Sequence, residues 1–170
     1  MSRKLILAAA FAALAAPAVS QATDGPGPNL VIEVAGAANG TVVIDLLPDV
    51  APQHVAQITA LVKEGAYDNV VFHRVIDGFM AQTGDPRGDG TGGSGQKLDA
   101  EFSREKHVRG TLSMARASNP HSAHSQLFIM FAPSTHHDGQ YTVWRKVTHG
   151  MEVGALVSNG PSKRHLPPDT

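Results

Sequence analysis

Seven short apolar runs with the spacing of β-strands constrain this chain more than any other feature. Each is five to seven residues long, and several alternate between apolar and polar residues. Alternation of this kind is typical of strands with one buried face. The predicted strands are Leu30 to Val34, Thr41 to Leu46, Val70 to Ile76, Phe79 to Thr83, Thr111 to Ala115, Leu127 to Phe131 and Thr142 to Val147.

Helical spacing is clear in one segment, Ala51 to Glu64, where apolar residues recur every three or four positions. Pro52 lies in its first turn and Gly65 follows as a C-cap, so both ends carry the expected signals. A second, short helix is predicted at Met151 to Val157, and the turn-rich residues 36–40 predict a hairpin between the first two strands. A mainly β chain with two covering helices is typical of a closed barrel.

The first 22 residues are typical of a secretory signal peptide. Arg3 and Lys4 precede the apolar run Leu5 to Ala16, and small residues offer a cleavage site near Ser20 or Ala22. The run is shorter than the roughly 20 apolar residues that span a bilayer, which predicts export rather than stable membrane insertion. We expect a periplasmic protein whose residues 23–29 form a Gly/Pro linker.

The remaining chain has the size and composition of one domain. About 148 residues follow the signal peptide, with 12 basic and 15 acidic residues and a net charge of −3. No basic patch is visible, which argues against nucleic-acid binding. Cysteine is absent, so the fold depends on packing rather than disulfides. The predicted domain covers residues 30–157, and residues 158–170 form a proline-rich tail.

The glycine-rich segment that follows the fourth strand does not predict a nucleotide or calcium site. Residues 90–95 satisfy G-x-G-x-x-G, but no apolar helix of a βαβ unit follows them. The segment also lacks the spacing and the closing glutamate of an EF-hand. A loop whose glycines permit unusual backbone conformations, beside a binding groove, is the prediction that remains.

Nine histidines raise the question of metal binding or nucleophilic catalysis. No Cys or Glu completes a zinc-like set around them, so the pattern predicts solvated loop histidines and no metal site. Ser122 and Ser125 lie near His124, but neither serine has a G-x-S-x-G elbow, and no acid is placed to orient a histidine. The sequence therefore argues against a hydrolase.

One arginine on a predicted strand remains to be explained. Alternation places Phe72, Arg74 and Ile76 on one face of that strand. Arg74 could extend to solvent or pair with a structural acid, and spacing alone leaves this open.

The ordered motifs around Arg74 resemble the cyclophilin family of peptidyl-prolyl cis-trans isomerases. The signature F-H-R-V-I-x-G-F-M-x-Q-x-G-D stands at Phe72 to Asp85, and Gly-Thr-Gly-Gly stands at Gly90 to Gly93. Further matches are S-M-A-x-A at Ser113 to Ala117, the strand starting Ser125-Gln126, and the segment Asp138 to Val147. The resemblance covers roughly residues 30–150, and in sequence it is strongest to the small exported bacterial members.

The resemblance implies an eight-stranded antiparallel barrel with a helix at each end, and an isomerase that needs no cofactor. Its implied partners are proline-containing unfolded or partly folded polypeptides, bound by a monomer. A proline-segment-binding chaperone of the same fold, with little catalysis, is the alternative. The implied catalytic residues are Arg74 and Gln82, and the implied substrate-binding residues are Phe79, Met80, Ala115, Arg116 (through its main chain), Ala117, Phe128, His137 and Tyr141.

Several positions depart from the family pattern. His136 stands where many members have tryptophan, His137 where they have leucine, and Tyr141 where a pocket histidine is common. Trp144 and Arg145 replace Phe-Gly in the last predicted strand, which we expect to alter packing. No final apolar strand precedes Thr170, which predicts either a barrel open at one edge or a chain that continues.

Overall fold

The structure, a computed structural model, describes residues 25, 27–36 and 38–153. The predicted signal peptide, residues 23, 24 and 26 of the predicted linker and the predicted tail lie outside these residues. Each predicted strand is confirmed, although the third is shorter at its start than predicted. The elements are β1 Asn29–Val34, β2 Gly40–Leu46, α1 Pro52–Lys63, β3 Arg74–Ile76, β4 Met80–Thr83, β5 Thr111–Met114, the 3₁₀ helix Pro120–Ser122, β6 Leu127–Met130, the 3₁₀ helix Thr135–His137 and β7 Val143–His149.

All seven strands join one antiparallel sheet in the order β1-β2-β7-β5-β6-β4-β3. The hairpin β1–β2 is confirmed, with the Asn39 side chain bonding the backbone of Gly36 across its turn. Among the described residues the sheet is a curled half-barrel with β1 and β3 at its edges. The predicted closed barrel of eight strands is not observed in this part of the chain.

The inner face of the sheet carries the main core. Because neighbouring strands are paired in register, Leu112, Ile129 and Ala81 lie side by side on that face. Helix α1 covers one end of the core through Val55 and Ile58. A second helical turn begins at residue 151, as predicted, at the limit of the described chain.

Phe72 does not share the face of Arg74, contrary to the alternation predicted for this segment. Strand β3 begins only at Arg74, so the period of two does not extend back to Phe72. Phe72 packs against the main core, whereas Arg74 lies exposed on the opposite face.

A bulge in β7 accommodates the two residues that depart from the family pattern. Leu112 pairs with Arg145 and Ser113 with Val143, which leaves Trp144 as the extra residue. Trp144 belongs to the main core, and Arg145 is fully buried with its guanidinium carbon 3.3 Å from the centroid of the Trp144 ring. The predicted change in packing is therefore a buried cation stacked on an indole.

The start of α1 is held by a residue distant in sequence. Ala51 provides no side-chain cap, and the carboxylate of Glu101 accepts hydrogen bonds from the backbone N–H of Gln53 and His54. The same carboxylate lies 2.6 Å from Nδ1 of His54. An acid at a helix N-terminus satisfies free N–H groups and interacts favourably with the helix dipole. At the other end Gly65 adopts the predicted left-handed conformation, with φ of 74°.

The inner face of the half-barrel opens into a cavity of about 1290 Å³ lined by β1 and residues 67–73. No helix in the described part of the chain is long and apolar enough to cross a membrane.

Candidate active site

A row of paired residues crosses the outer face of the sheet and builds the site. Arg74 on β3 pairs with Gln82 on β4, Gln82 with Phe128 on β6, and Phe128 with Ser113 on β5. Paired residues point to the same side of a sheet. A hairpin of β3 and β4 and two strands more than 25 residues further along the chain therefore place one cation, one amide and one aromatic ring in line.

Arg74 is exposed at the edge of this row and is positioned by a chain of amides. Its Nη1 donates to Oε1 of Gln82 over 3.4 Å, and Nε2 of Gln82 donates to Oε1 of Gln126 over 2.8 Å. Nε2 of Gln126 donates in turn to the backbone carbonyls of Gly90 and Gly92. Each amide uses both its donor and its acceptor, so the orientation of Gln82 toward Arg74 is fixed.

The glycine-rich loop that ends this chain of amides is itself organised by Asp85. The buried carboxylate accepts hydrogen bonds from the backbone N–H groups of Arg87, Asp89 and Gly90. Burial alone would raise the pKa of Asp85, but these backbone donors outweigh it and hold the pKa at about 2. The loop lies beside the cavity, and the Asp85 carboxylate holds its backbone in one conformation.

A cavity of about 120 Å³ lies next to Arg74. The apolar part of its wall combines Met80 and Phe128, which are buried, with Phe79 and Tyr141, which are half-buried. The Phe128 ring meets the Tyr141 ring edge-on at 5.6 Å. The residues lining the cavity are Arg74, Phe79, Met80, Gln82, Ala115, Arg116, Phe128, His137 and Tyr141.

His137 completes the aromatic wall as a neutral imidazole. Its ring lies 4.8 Å from Tyr141, 5.5 Å from Phe79 and 5.8 Å from Phe128, centroid to centroid. Burial, followed by the nearby His107 and His136, lowers its pKa below the ordinary histidine value. Nδ1 of His137 lies 2.7 Å from the hydroxyl of Ser134, so a polar partner outside the apolar wall holds the ring.

A Ser-His-Asp arrangement with a buried serine and a buried histidine supports this wall from beneath. Nε2 of His107 lies 2.9 Å from Oγ of Ser113, and its Nδ1 lies 3.1 Å from Asp138. His107 also accepts from Ser134 N–H through its carbonyl and donates its own N–H to Asp138. Ser113 is fully buried, so its hydroxyl cannot reach a substrate. These contacts fasten the segment 134–141 to β5, and they do not form a nucleophilic centre.

The backbone donor His107, followed by its side chain and Lys106, holds the pKa of Asp138 at about 2 despite partial desolvation. The expectation that no acid orients a histidine is therefore wrong for His107. The reason is that Asp138 lies 31 residues away along the chain.

The expectation of solvated histidines is also wrong for His54 and His107, which are buried. Each lies beside a carboxylate, Glu101 for His54 and Asp138 for His107. Within the described ranges, no group of three or more His, Cys, Asp or Glu side chains could hold a metal.

The structure brings nine of the ten predicted site residues to this one cavity, and the exception is Ala117. Ala117 is exposed, and its N–H donates to Oγ of Ser122. Sequence reasoning missed the supporting roles of Gln126, His107, Ser113 and Asp138. A buried polar pair at the start of an apolar strand, Ser125-Gln126, was the one available signal.

Comparisons with known proteins agree with this geometry. The family model described as "Cyclophilin type peptidyl-prolyl cis-trans isomerase/CLD" matches residues 30–169. A probable peptidyl-prolyl cis-trans isomerase of Brucella suis is 49% identical over 170 residues, covering 93% of this chain and 86% of the relative. Peptidyl-prolyl cis-trans isomerase B of Bacillus subtilis is 45% identical, covering 68% of this chain and 82% of the relative.

A crystal structure of a cyclophilin type peptidyl-prolyl cis-trans isomerase of Cryptosporidium parvum, in the presence of the dipeptide Ala-Pro, superimposes with a TM-score of 0.70. It is 36% identical and covers 76% of this chain and 87% of its own.

Proposed function

This chain belongs to the cyclophilin-type peptidyl-prolyl cis-trans isomerases, and from that premise we propose that Arg74 and the adjoining cavity form its catalytic centre. The observation that carries the proposal is the register Arg74–Gln82–Phe128. It places an exposed cation beside a cavity of about 120 Å³ whose wall is apolar at Phe79, Met80 and Phe128.

The reaction requires stabilisation of a twisted amide and no covalent chemistry. Rotation about a peptide bond costs about 18–20 kcal/mol because the nitrogen lone pair is delocalised into the carbonyl. In the transition state this conjugation is lost and the prolyl nitrogen becomes pyramidal and basic. An Arg74 N–H directed at that nitrogen stabilises the transition state more than the planar ground state, which is the requirement for catalysis.

Preorganisation explains why an exposed arginine can do this. The chain of amides from Gln82 to Gln126 and the glycine loop holds an acceptor against one side of the guanidinium. Phe79, Met80 and Phe128 enclose the proline ring and exclude water, which strengthens the contribution of the cation. The acyl side of the bond is then free to rotate.

The cellular setting is also part of the proposal. The basic start and apolar run of residues 1–22 support export to the periplasm, where the substrates are exposed X-Pro bonds of folding polypeptides. We infer a monomeric enzyme.

The test is an isomerisation assay on a proline-containing peptide with the chain lacking residues 1–22. Arg74→Ala should lower kcat/KM by about 10²–10³-fold, the usual loss for one preorganised donor. Arg74→Lys should not restore it, because a point charge lacks the planar donor fork. Arg104→Ala is the matched control, since Arg104 is exposed and outside the cavity lining.

Near-normal turnover in Arg74→Ala would refute the mechanism. An inactive wild type that still binds proline peptides would instead support the binding-module alternative.

A further inference from the structure

A second arginine faces the same cavity as Arg74. Arg116 follows β5 and lines the cavity together with Arg74 and Tyr141. Its guanidinium carbon lies 4.5 Å from the centroid of the Tyr141 ring. The cavity thus has cations on two of its walls.

The Arg116 side chain is held in place by hydrogen bonds from two of its three guanidinium nitrogens. Nε donates to the carbonyl of Gln140 over 3.0 Å, and Nη1 donates to the carbonyls of Ala117 and Ser118 over 2.9 and 3.3 Å. Within the described residues, Nη2 has no hydrogen-bond partner. Three backbone carbonyls and one aromatic ring therefore fix the group, while two N–H donors remain available.

No carboxylate among the described residues balances this charge within the cavity. The lining residues include Arg74 and Arg116 but neither aspartate nor glutamate. The acid next in sequence to the wall residue His137 is Asp138, which already accepts from His107 and lies 3.1 Å from Nζ of Lys106. A bound peptide therefore meets a site with uncompensated positive charge.

We propose that Arg116 makes the enzyme select proline segments that carry a carboxylate on a residue next to the proline. The proposal rests on the catalytic function inferred above and adds a substrate class to it. A guanidinium N–H that is already held in place forms a stronger, charge-assisted hydrogen bond with a carboxylate than with a neutral amide. A lysine or arginine beside the proline would be repelled by both cavity arginines.

Arg116 is half-buried and already held in place, so its preference for a carboxylate next to the proline should be specific. The size of this preference should be modest, because the site is open to solvent. Exposed ion pairs contribute about 0.2–1 kcal/mol, which corresponds to about a 1.4-fold to fivefold change per pair. Attraction of one charge and repulsion of the other should together separate Glu and Lys peptides by about threefold to tenfold in kcat/KM at low salt. Screening at high salt should reduce this ratio.

The experiment compares peptides that carry Glu, Gln or Lys directly before or directly after one proline. The wild type should show the order Glu, Gln, Lys at one or both positions, mainly through KM, because the interaction forms in ground and transition state alike. Arg116→Gln should bring the Glu to Lys ratio close to one, Arg116→Lys should keep part of it, and Arg116→Glu should invert it. Since each ratio is taken within one variant, a general loss of activity cancels.

Arg104→Gln removes the same charge from an exposed position outside the cavity lining and should leave the ratio at its wild-type value. A wild type that isomerises all peptides without regard to charge would overturn the inference, as would a ratio unchanged in Arg116→Gln. Absence of activity on every peptide would count against the catalytic proposal itself.

Discussion

The two faces of strand β6 have different roles, because one packs in the main core and the other lines the cavity beside Arg74. Leu127 and Ile129 point into the main core, whereas Phe128 and Met130 point to the cavity beside Arg74. The described core cluster has sixteen buried residues, and the cavity cluster has three. Most of the buried apolar area, and therefore most of the stability, belongs to the inner face.

Polar groups are treated differently on the two faces. On the cavity face, Ser113, Gln82 and Gln126 all have hydrogen-bond partners. On the core face, the Nε, Nη1 and Nη2 atoms of Arg145 have none. The difference indicates that these polar side chains of the cavity face are paired, whereas the core contains unpaired donors, which include Nε1 of Trp144.

The largest effect expected on the core face is that of Ile129→Ala. Removing this fully buried side chain should lower the free energy of unfolding by about 2–5 kcal/mol, through lost burial and the resulting cavity. Denaturant unfolding measures this, and kcat/KM per folded molecule should stay close to that of the wild type. A large specific loss of activity in the folded fraction would mean that the two faces are not separate.

His107→Ala should affect both stability and activity. His107 supports the cavity wall, yet it is buried like a core residue. Loss of its ring bonds to Ser113 and Asp138 should lower stability by about 1–3 kcal/mol. The loosened wall should lower kcat/KM as well, measured on the folded protein. Lys106→Ala is the control, since its side chain is 70% exposed and it contributes only a surface ion pair to Asp138. If both variants behave alike, His107 does not position the wall.

Arg145→Met tests how the unpaired guanidinium of Arg145 affects the stability of the core. Burial lowers the pKa of Arg145, which shows that its charged form is disfavoured there. Replacing unsatisfied donors with an apolar side chain of similar length should raise the free energy of unfolding by about 1–3 kcal/mol, less the lost stacking on Trp144. Thermal unfolding of the two proteins provides the measurement. A destabilised variant would show that the stacking outweighs the desolvation.

The smallest effect should appear in the pH profile of activity. His137 has a lowered pKa, so it stays neutral until the pH falls below the ordinary histidine value of about 6.5. Its protonation would place a charge against Phe79 and Phe128, and kcat/KM should therefore fall by a few fold below that pH. In His137→Leu most of this fall should disappear, leaving the contribution of His107, whose pKa is lowered by burial and only partly restored by Asp138. Identical profiles for the two proteins would remove His137 from the site.

The free energy of unfolding should depend on pH in the same direction as the activity, decreasing as the pH falls. Burial lowers the pKa values of His73, His107, His124 and His137, so the unfolded chain binds protons more readily below pH 6.5. The free energy of unfolding should therefore decrease as the pH falls from that value. Asp85 and Asp138, with pKa values of about 2, add a further loss between about pH 4 and 2.

Most residues of the cavity were predictable because the resemblance to the cyclophilin family rests on ordered, contiguous motifs that contain them. Arg74 and Gln82 both lie in one such motif, and their direct pairing follows from a short turn between β3 and β4. The supporting contacts were not predictable. Asp138 approaches His107, and Glu101 approaches His54, across 31 and 47 residues, and no local pattern encodes contacts of that separation.

The sequence by itself determined the strands, the helix and the family, because periodicity, turn residues and ordered motifs are local properties of the chain. The tertiary structure decided which face each strand residue joins. The bulge at Trp144 turns both it and Arg145 inward, and the late start of β3 turns Phe72 away from Arg74. A shift of one residue in register reverses the direction of a side chain, and only pairing with distant strands fixes that register.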